Sequence, residues 1–412
     1  MLQVSQAQLP FDSAARRRLP VLNPLGTQSD IRYYDAVAKG VLNGPETTGM
    51  GFWSINPYVG CAFGCAYCYA RYTHRYVTER ATASEREAVA EGAEGAEGAE
   101  RGRLTDLPPW LAFERRIFVK RNAPEVLRAT LRAGGGYGAS RRGRLTGIWK
   151  GETIVIGTAT DPYQPAERTW RVTRGVLEVL AAERGLSVVI VTKSALVARD
   201  VDVLARLAAR SRLTVHVSLI TLDRELARRL EPRAPTPEAR VRAVERLAAA
   251  GIDVGINIMP VLPGITDPPS MLDALVRRVA RSGASHVNAC ALRLRVTARR
   301  RYLPFIEAEF PHLAARYRAA YAGGHQMGDR YREGLRRFLR ERCREHGIQY
   351  GTPEGAGRAR DGTARAGRAW SAGDGAVGND GDAGDGVEDA GRGIDSPLVR
   401  ACAEQLGLAL GP

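Results

Sequence analysis

Lysine is nearly missing from this sequence of 412 residues: among 60 basic side chains only Lys39, Lys120, Lys150 and Lys193 are lysines, and the rest are arginines. That ratio, with abundant alanine and glycine, reads as codon bias across a genome more than as selection for one basic face. Long hydrophobic runs are absent too. No stretch reaches the roughly 18 apolar residues of a spanning helix, so the sequence excludes a helical membrane anchor. The opening MLQVSQAQLPFDSAARRRLP lacks the apolar core of a signal peptide, and the expected location is cytoplasmic. Cysteine is scarce, with six in all, and in that compartment a disulfide framework is excluded. Disorder of the whole chain is excluded by a hydrophobic content of 44%.

What is plentiful is positive charge. The formal net is +15, but residues 352–412 carry ten acids and six arginines, which leaves the remainder of the chain at +19. Such a surplus fits a polyanionic partner such as a nucleic acid, with arginine bias as the competing explanation. Two basic stretches concentrate it. Residues 330–344, RYREGLRRFLRERCR, set Leu335, Phe338, Leu339 and Cys343 on one helical face and seven arginines largely on the others, and RLRVTARRR at 293–301 is the second.

Other segments have nothing to bury. Residues 90–100, AEGAEGAEGAE, repeat Ala-Glu-Gly without an apolar face and mark a flexible insertion over about 84–105. Residues 352–396 hold twelve glycines and few bulky apolar side chains, so a disordered Gly-rich tail is expected over 351–412, with SPLVRACAEQLGLAL able to form one short helix. GGGYG at 134–138 does not lie between a strand and a helix as a phosphate loop requires, and is expected as a loop. The remainder divides into an N-terminal extension (1–34), a core (35–300) and a C-terminal helical segment (301–350).

Within the core a βα rhythm is visible. Near-continuous β-branched runs occur at 153–158, 187–192, 213–220, 252–260 and 286–292, as expected of parallel strands covered on both faces. Helical patterns separate them at 168–184, 201–210, 237–250 and 270–282. The third of these has Thr236 as N-cap, Pro237 at its first position and Gly251 past its end. A first strand at 53–59 makes six, too few for a closed eightfold barrel and enough for an open α/β partial barrel. RIFVK at 116–120 is expected as an edge strand.

Three cysteines stand together as Cys61-Ala-Phe-Gly-Cys65-Ala-Tyr-Cys68, whereas Cys290, Cys343 and Cys402 are isolated. Three thiolates this close face one centre only if the chain loops around it, which Gly60 and Gly64 permit. A [4Fe–4S] cluster normally takes four cysteines, so three leave one iron open to a ligand that is not protein. The competing reading is a zinc site completed by His74.

With the aromatic Tyr67 before the last cysteine, and the array following the first strand of a βα series, the sequence resembles the radical S-adenosylmethionine (SAM) superfamily. It is most similar to the spore photoproduct lyase-like branch and its actinobacterial relatives, over about residues 35–300. The segments that carry the resemblance are NPYVGCAFGCAYCYARYTHRY (56–76), GTATDPYQPAE (157–167), VTKSALVARD (191–200), HVSLITLD (216–223), EPRAPTPEAR (231–240) and INIMPVLPGITD (256–267).

The resemblance implies a partial (β/α)6 barrel. It implies a [4Fe–4S] cluster on Cys61, Cys65 and Cys68, with SAM at the open iron. An external electron donor of flavodoxin or ferredoxin type would then drive SAM cleavage to a 5′-deoxyadenosyl radical acting on a substrate. SAM contacts are implied for Thr160 and Asp161 (methionyl amino group), Lys193 and Ser218 (carboxylate) and Tyr67 (adenine). Asn257, Met259 and Asn288 are further candidates to line the barrel. Lys193 is notable independently, because a lysine in an arginine-saturated chain marks a place that wants a compact ammonium. One departure stands out: the lyases use a cysteine at the end of strand two as hydrogen-atom donor, and GTATD contains none. The expectation is therefore a radical SAM enzyme acting on an unidentified substrate, with a nucleic acid or nucleotide leading. The alternative is a non-catalytic iron–sulfur or zinc module that binds nucleic acid or senses redox state.

Overall fold

The computed structural model describes residues 24–28, 30–45, 51–74, 107–132, 148 and 151–352. The expectations for the Ala-Glu-Gly insertion, the 134–138 loop, the Gly-rich tail, its terminal helix and Cys402 lie outside these residues. The strands are β1 (Pro24–Gln28), β2 (Ile31–Asp35), β3 (Leu42–Asn43), β4 (Trp53–Ile55), β5 (Tyr58–Val59), β6 (Arg116–Val119), β7 (Thr153–Ile156), β8 (Ser187–Thr192), β9 (Arg212–Ser218), β10 (Asp253–Val261), β11 (His286–Ala291) and β12 (Gln349–Tyr350). The helices are α1 (Pro109–Arg115), α2 (Ala123–Arg132), α3 (Ala166–Trp170), α4 (Val172–Ala182), α5 (Val201–Ala208), α6 (Arg224–Leu230), α7 (Pro237–Ala249), α8 (Pro269–Ala280), α9 (Val296–Glu309), α10 (Pro311–Ala320) and α11 (Asp329–Glu345).

The six anticipated barrel strands pair in parallel in the order β4, β7, β8, β9, β10, β11. β12 extends that sheet in parallel beyond β11, and β3 closes its other edge antiparallel to β4. This is the partial (β/α)6 barrel, its helices burying apolar stripes such as Leu177, Leu204, Leu247 and Val276 in one continuous core. Thr236 caps α7 by accepting from the Ala239 N–H, and Gly251 takes the positive φ expected past its end. In α11, Leu339 and Cys343 are buried while Arg330, Arg336, Arg337, Arg340 and Arg344 face solvent. No described helix is long and apolar enough to cross a membrane.

Three elements differ from the sequence expectation. The run 53–59 is two strands, because Pro57 has no N–H for the ladder; β4 stays in the barrel and β5 joins a second sheet of order β1-β2-β6-β5. RIFVK forms β6, interior to that second sheet and buried at all four positions, instead of an edge strand. The helical pattern 168–184 breaks at Arg171, whose φ is +48°. There the Glu167 carboxylate accepts from Thr173 N (2.8 Å) and Arg174 N (3.1 Å) and so caps a new helix, α4. β2 and α9 run across the residue boundaries expected at 34/35 and 300/301.

The alternation of β9, β10 and β11 stacks two polar layers. His216, Gly255 and His286 lie in register in the first; Ser218, Asn257 and Asn288 lie in register in the second, two residues further along each strand. A second apolar cluster joins the cysteine loop to the C-terminal helices, packing Phe63, Tyr67 and Phe113 with Tyr302, Ile306 and Leu313.

Candidate functional site

Gly60 and Gly64 turn the cysteine loop with φ of +82° and +67°. A Cβ at Gly60 would stand 2.8 Å from the Phe113 carbonyl oxygen, so glycine alone fits. The loop is buried, and its backbone groups are satisfied from outside it. Cys61 N donates to the Phe113 carbonyl (2.9 Å), Ala66 N to the Leu230 carbonyl (3.0 Å) and Ala62 N to Gln164 Oε1 (2.9 Å). Arg71, fully buried, donates to the Cys65 carbonyl at 2.8 Å and pairs with Glu114 at 2.6 Å, while Arg233 donates to the Ala62 carbonyl. Gln164, Arg71 and Arg233 are not evident from sequence. Gln164 lies four residues past Thr160 and Arg71 three past Cys68, inside segments that carry the family resemblance.

Cys61, Cys65, Cys68, Tyr67, Thr160, Asp161, Lys193 and Ser218 all border one cavity of about 750 Å³, counting the space open to solvent. Asn257 and Met259 border it as well. Asn288 stands behind Asn257, reaching its Oδ1 at 3.4 Å and Thr352 at 3.1 Å. His74 does not border the cavity: its ring packs against Phe113 and Phe118, and burial, seconded by Arg116, pulls its pKa down to about 3.

The polar wall is braced from within. The Thr160 hydroxyl donates to the Gly60 carbonyl at 2.5 Å and accepts from Gln164. The Asp161 carboxylate accepts from Tyr163 N, the Thr192 hydroxyl and Lys193 N at 2.6–2.9 Å, tying the end of β7 to the end of β8. Burial still raises the Asp161 pKa. Lys193 places its Nζ over the Tyr67 ring, 5.6 Å from the centroid. Burial opposes its charge, but Cys65, Glu231 and Cys68 outweigh that and raise its pKa.

Under Tyr67 lies a buried knot that the sequence did not single out. The Tyr67 hydroxyl and the Arg240 guanidinium both donate to Glu231, and Arg240 also donates to the Ser218 carbonyl at 3.0 Å. Both ionic partners lie within the 231–240 segment, but no local pattern announces a contact nine residues apart across a turn and a helix start.

Burial pushes all three thiols up, Cys65 to about 12; Lys193 opposes this at Cys65, as Arg71 does at Cys68. Thiols in such a place become thiolates when metal displaces their protons. Among the described residues no three His, Cys, Asp or Glu side chains converge tightly enough for a single metal ion. The Asn257 side-chain amide nitrogen, buried in the opposite wall, has no hydrogen-bond partner. A buried donor left unsatisfied is costly, so this one suits a polar ligand. Cysteines, a lysine, a serine and an open amide facing one cavity fit a cluster with an amino-acid-bearing cofactor.

A family model described as the radical SAM superfamily matches residues 145–275. Uncharacterized proteins of Mycobacterium tuberculosis and Mycobacterium bovis are each 32% identical over 338 residues, covering 80% of this chain and 86% of theirs. An uncharacterized protein of Methanocaldococcus jannaschii is 25% identical over 239 residues, 58% of this chain and 71% of its own. Among solved structures, a spore photoproduct lyase complexed with dinucleoside spore photoproduct is alike in fold, with a TM-score of 0.50, 16% identity, and coverage of 77% of this chain and 81% of that one.

Proposed function

Because this chain belongs to the radical SAM superfamily, we propose that Cys61, Cys65 and Cys68 hold its [4Fe–4S] cluster and that the wall opposite binds SAM. The cluster and SAM are the cofactors of this family, and the chain is a radical SAM enzyme supplied with electrons by an external donor. When bound, they supply a 5′-deoxyadenosyl radical for hydrogen abstraction, and the protein's task is to bind, orient and exclude water. Lys193 and Ser218 serve the SAM carboxylate, and the open Asn257 amide serves a further acceptor on the cofactor. Asp161 acts chiefly by fixing the Lys193 backbone, since its oxygens are already engaged. Thr160 spends its proton on the Gly60 carbonyl and keeps lone-pair capacity toward the methionyl ammonium. Tyr67 offers its face to adenine. The observation that carries this reading is the single cavity bordered by all eight residues.

Anaerobic reconstitution should give about four irons and four sulfides per chain with broad absorbance at roughly 400 nm. Dithionite and SAM should then release 5′-deoxyadenosine, and Cys65→Ala should abolish both. Stoichiometric zinc without sulfide overturns the reading, and a cluster that never yields 5′-deoxyadenosine points to a sensing or binding module.

The substrate we propose is a nucleic acid or nucleotide, supported by the surplus charge of the body and the exposed arginines of α11. Thr158 stands two residues past the end of β7, and among the described residues no cysteine beyond the three of the loop borders the cavity. Cys290 lies on β11 outside it. A thiol-quenched photoproduct lyase reaction is therefore not the one proposed. Deuterium transfer from labelled oligonucleotides into 5′-deoxyadenosine tests the substrate class; transfer from none of them removes it.

A further inference from the structure

The cysteine loop has two sides. One borders the cavity; the other is gripped by arginines, none of which borders it. Arg71 and Arg233 bind loop carbonyls directly. Arg115 of α1 and Arg301 of α9 share their electrostatic neighbourhood, and Arg300 lies over the Trp110 ring of α1 at 5.2 Å. Among the described residues two carboxylates answer these five guanidiniums: Glu114 pairs with Arg71 and Asp30 with Arg115 at 3.0 Å. Among the described residues Arg233, Arg300 and Arg301 form no ion pair. Arg301 is half-buried, and burial, together with Arg71, Arg115 and Arg233, pulls its pKa down despite Glu114. This is positive charge held together against its own repulsion, with Arg300 exposed at its rim.

We propose that this outer arginine face of the cysteine loop docks a small, strongly acidic one-electron carrier protein, the donor that reduces the cluster. The inference rests on the proposed cluster site and adds where its electron enters. One electron leaves the carrier's reduced flavin or iron–sulfur centre and arrives on the cluster; no bond is made or broken, and the carrier departs oxidised by one electron. Tunnelling falls steeply with distance, and two of these arginines, Arg71 and Arg233, bond the backbone of the loop that carries the three cysteines. A substrate must reach the cavity, whereas an electron need not. A charged face that touches the loop and avoids the cavity therefore suits the carrier better than a nucleic acid. Complementary charge acts mainly on the rate of productive encounter, and salt weakens it.

The test uses the full reconstituted chain with a reduced bacterial flavodoxin, following bleaching of the cluster at roughly 400 nm. With the wild type, flavodoxin-driven reduction should slow steeply with added salt. In the variant Arg300→Glu/Arg301→Glu it should slow by about tenfold or more at low salt, while reduction by dithionite keeps its rate. A wild-type rate indifferent to salt overturns the proposal without any variant. So does a double variant reduced by flavodoxin as fast as the wild type, or one slowed equally with dithionite. If the substitutions abolish oligonucleotide binding and spare flavodoxin, the face belongs to nucleic acid and the proposal fails. Binding of oxidised flavodoxin, read from flavin fluorescence, needs no cluster. Salt-sensitive binding lost in the double variant of a chain that assembles no cluster would refute the cofactor reading and leave the docking face standing.

Discussion

Two buried glutamates in this barrel are assembled from the same parts and behave in opposite ways. Glu231 accepts from the Tyr67 hydroxyl and from Arg240; Glu167 accepts from the Tyr58 hydroxyl at 2.5 Å and from Arg199 at 2.9 Å. Burial works against the charge of both. At Glu231 the cations Arg240 and Lys193 prevail and hold the carboxyl below its usual range, whereas at Glu167 burial prevails and the carboxyl is raised. The difference lies in how the arginine is shared. Arg240 is sealed, 1% exposed, and among the described residues Glu231 is its one carboxylate partner. Arg199 is 23% exposed and divides itself between Glu167 and Asp200, and Arg174 binds Asp200 and Asp202 beside it. A diluted network seats a helix; a concentrated one anchors the Tyr67 side chain of the cysteine loop.

The largest expected effect comes from breaking the concentrated knot. Arg240→Ala removes the one guanidinium bonded to the buried Glu231 charge and leaves it the Tyr67 hydroxyl and the field of Lys193, at a cost of about 3 kcal/mol. Arg199→Ala leaves Glu167 bonded to Tyr58 and two backbone amides, at a cost nearer 1–3 kcal/mol. Urea denaturation of both variants measures the gap. Iron content after reconstitution should fall in the first variant, where Tyr67 loses its anchor, and hold in the second. Equal destabilisation with equal iron would erase the distinction.

Titration sharpens the same contrast by sign. The Glu231 carboxyl is depressed on folding, so its contribution is full above the unfolded value, about 4.3, and is lost as pH falls through the folded value. The Glu167 carboxyl is raised, so its contribution is full below the unfolded value and is lost as pH rises through the folded one. The stability difference between wild type and Glu231→Gln should therefore shrink on acidification from pH 6. That between wild type and Glu167→Gln should move in the wild type's favour. Parallel trends in the two variants would show that the cations near Glu231 do not govern it.

Much of this was legible in the residues. The six barrel strands follow from β-branched runs long enough to be buried on both faces, and C-x3-C-x2-C with Gly60 and Gly64 announces a tight loop. Lys193 stood out because a biased composition makes an exception informative. Less legible was whatever depends on distant partners. β6 looked like an edge until β2 and β5 flanked it, and the helix break at Arg171 is set by a carboxylate four residues earlier folding back over it. The Glu231–Arg240 contact has no local signature, because both are ordinary surface residue types until Ser218 and Tyr67 close over them. The arginine face beyond the cysteine loop was invisible for a related reason, since in a chain with this many arginines no sequence pattern distinguishes those that gather.

The smallest effect isolates charge from position. α7, which carries Arg240, begins at Thr236, whose hydroxyl accepts from Ala239 N at 3.3 Å, while its carbonyl accepts from Arg240 N at 3.1 Å. Thr236→Ala removes only the side-chain cap, a loss of about 1 kcal/mol. It touches neither Glu231 nor Tyr67. If the knot works through the charge pair, this variant should reconstitute with wild-type iron despite its lower stability. If it loses iron as Arg240→Ala does, the pair matters only for seating α7. Glu231 would then differ from Glu167 in degree alone, both being carboxylates that fix the start of a helix.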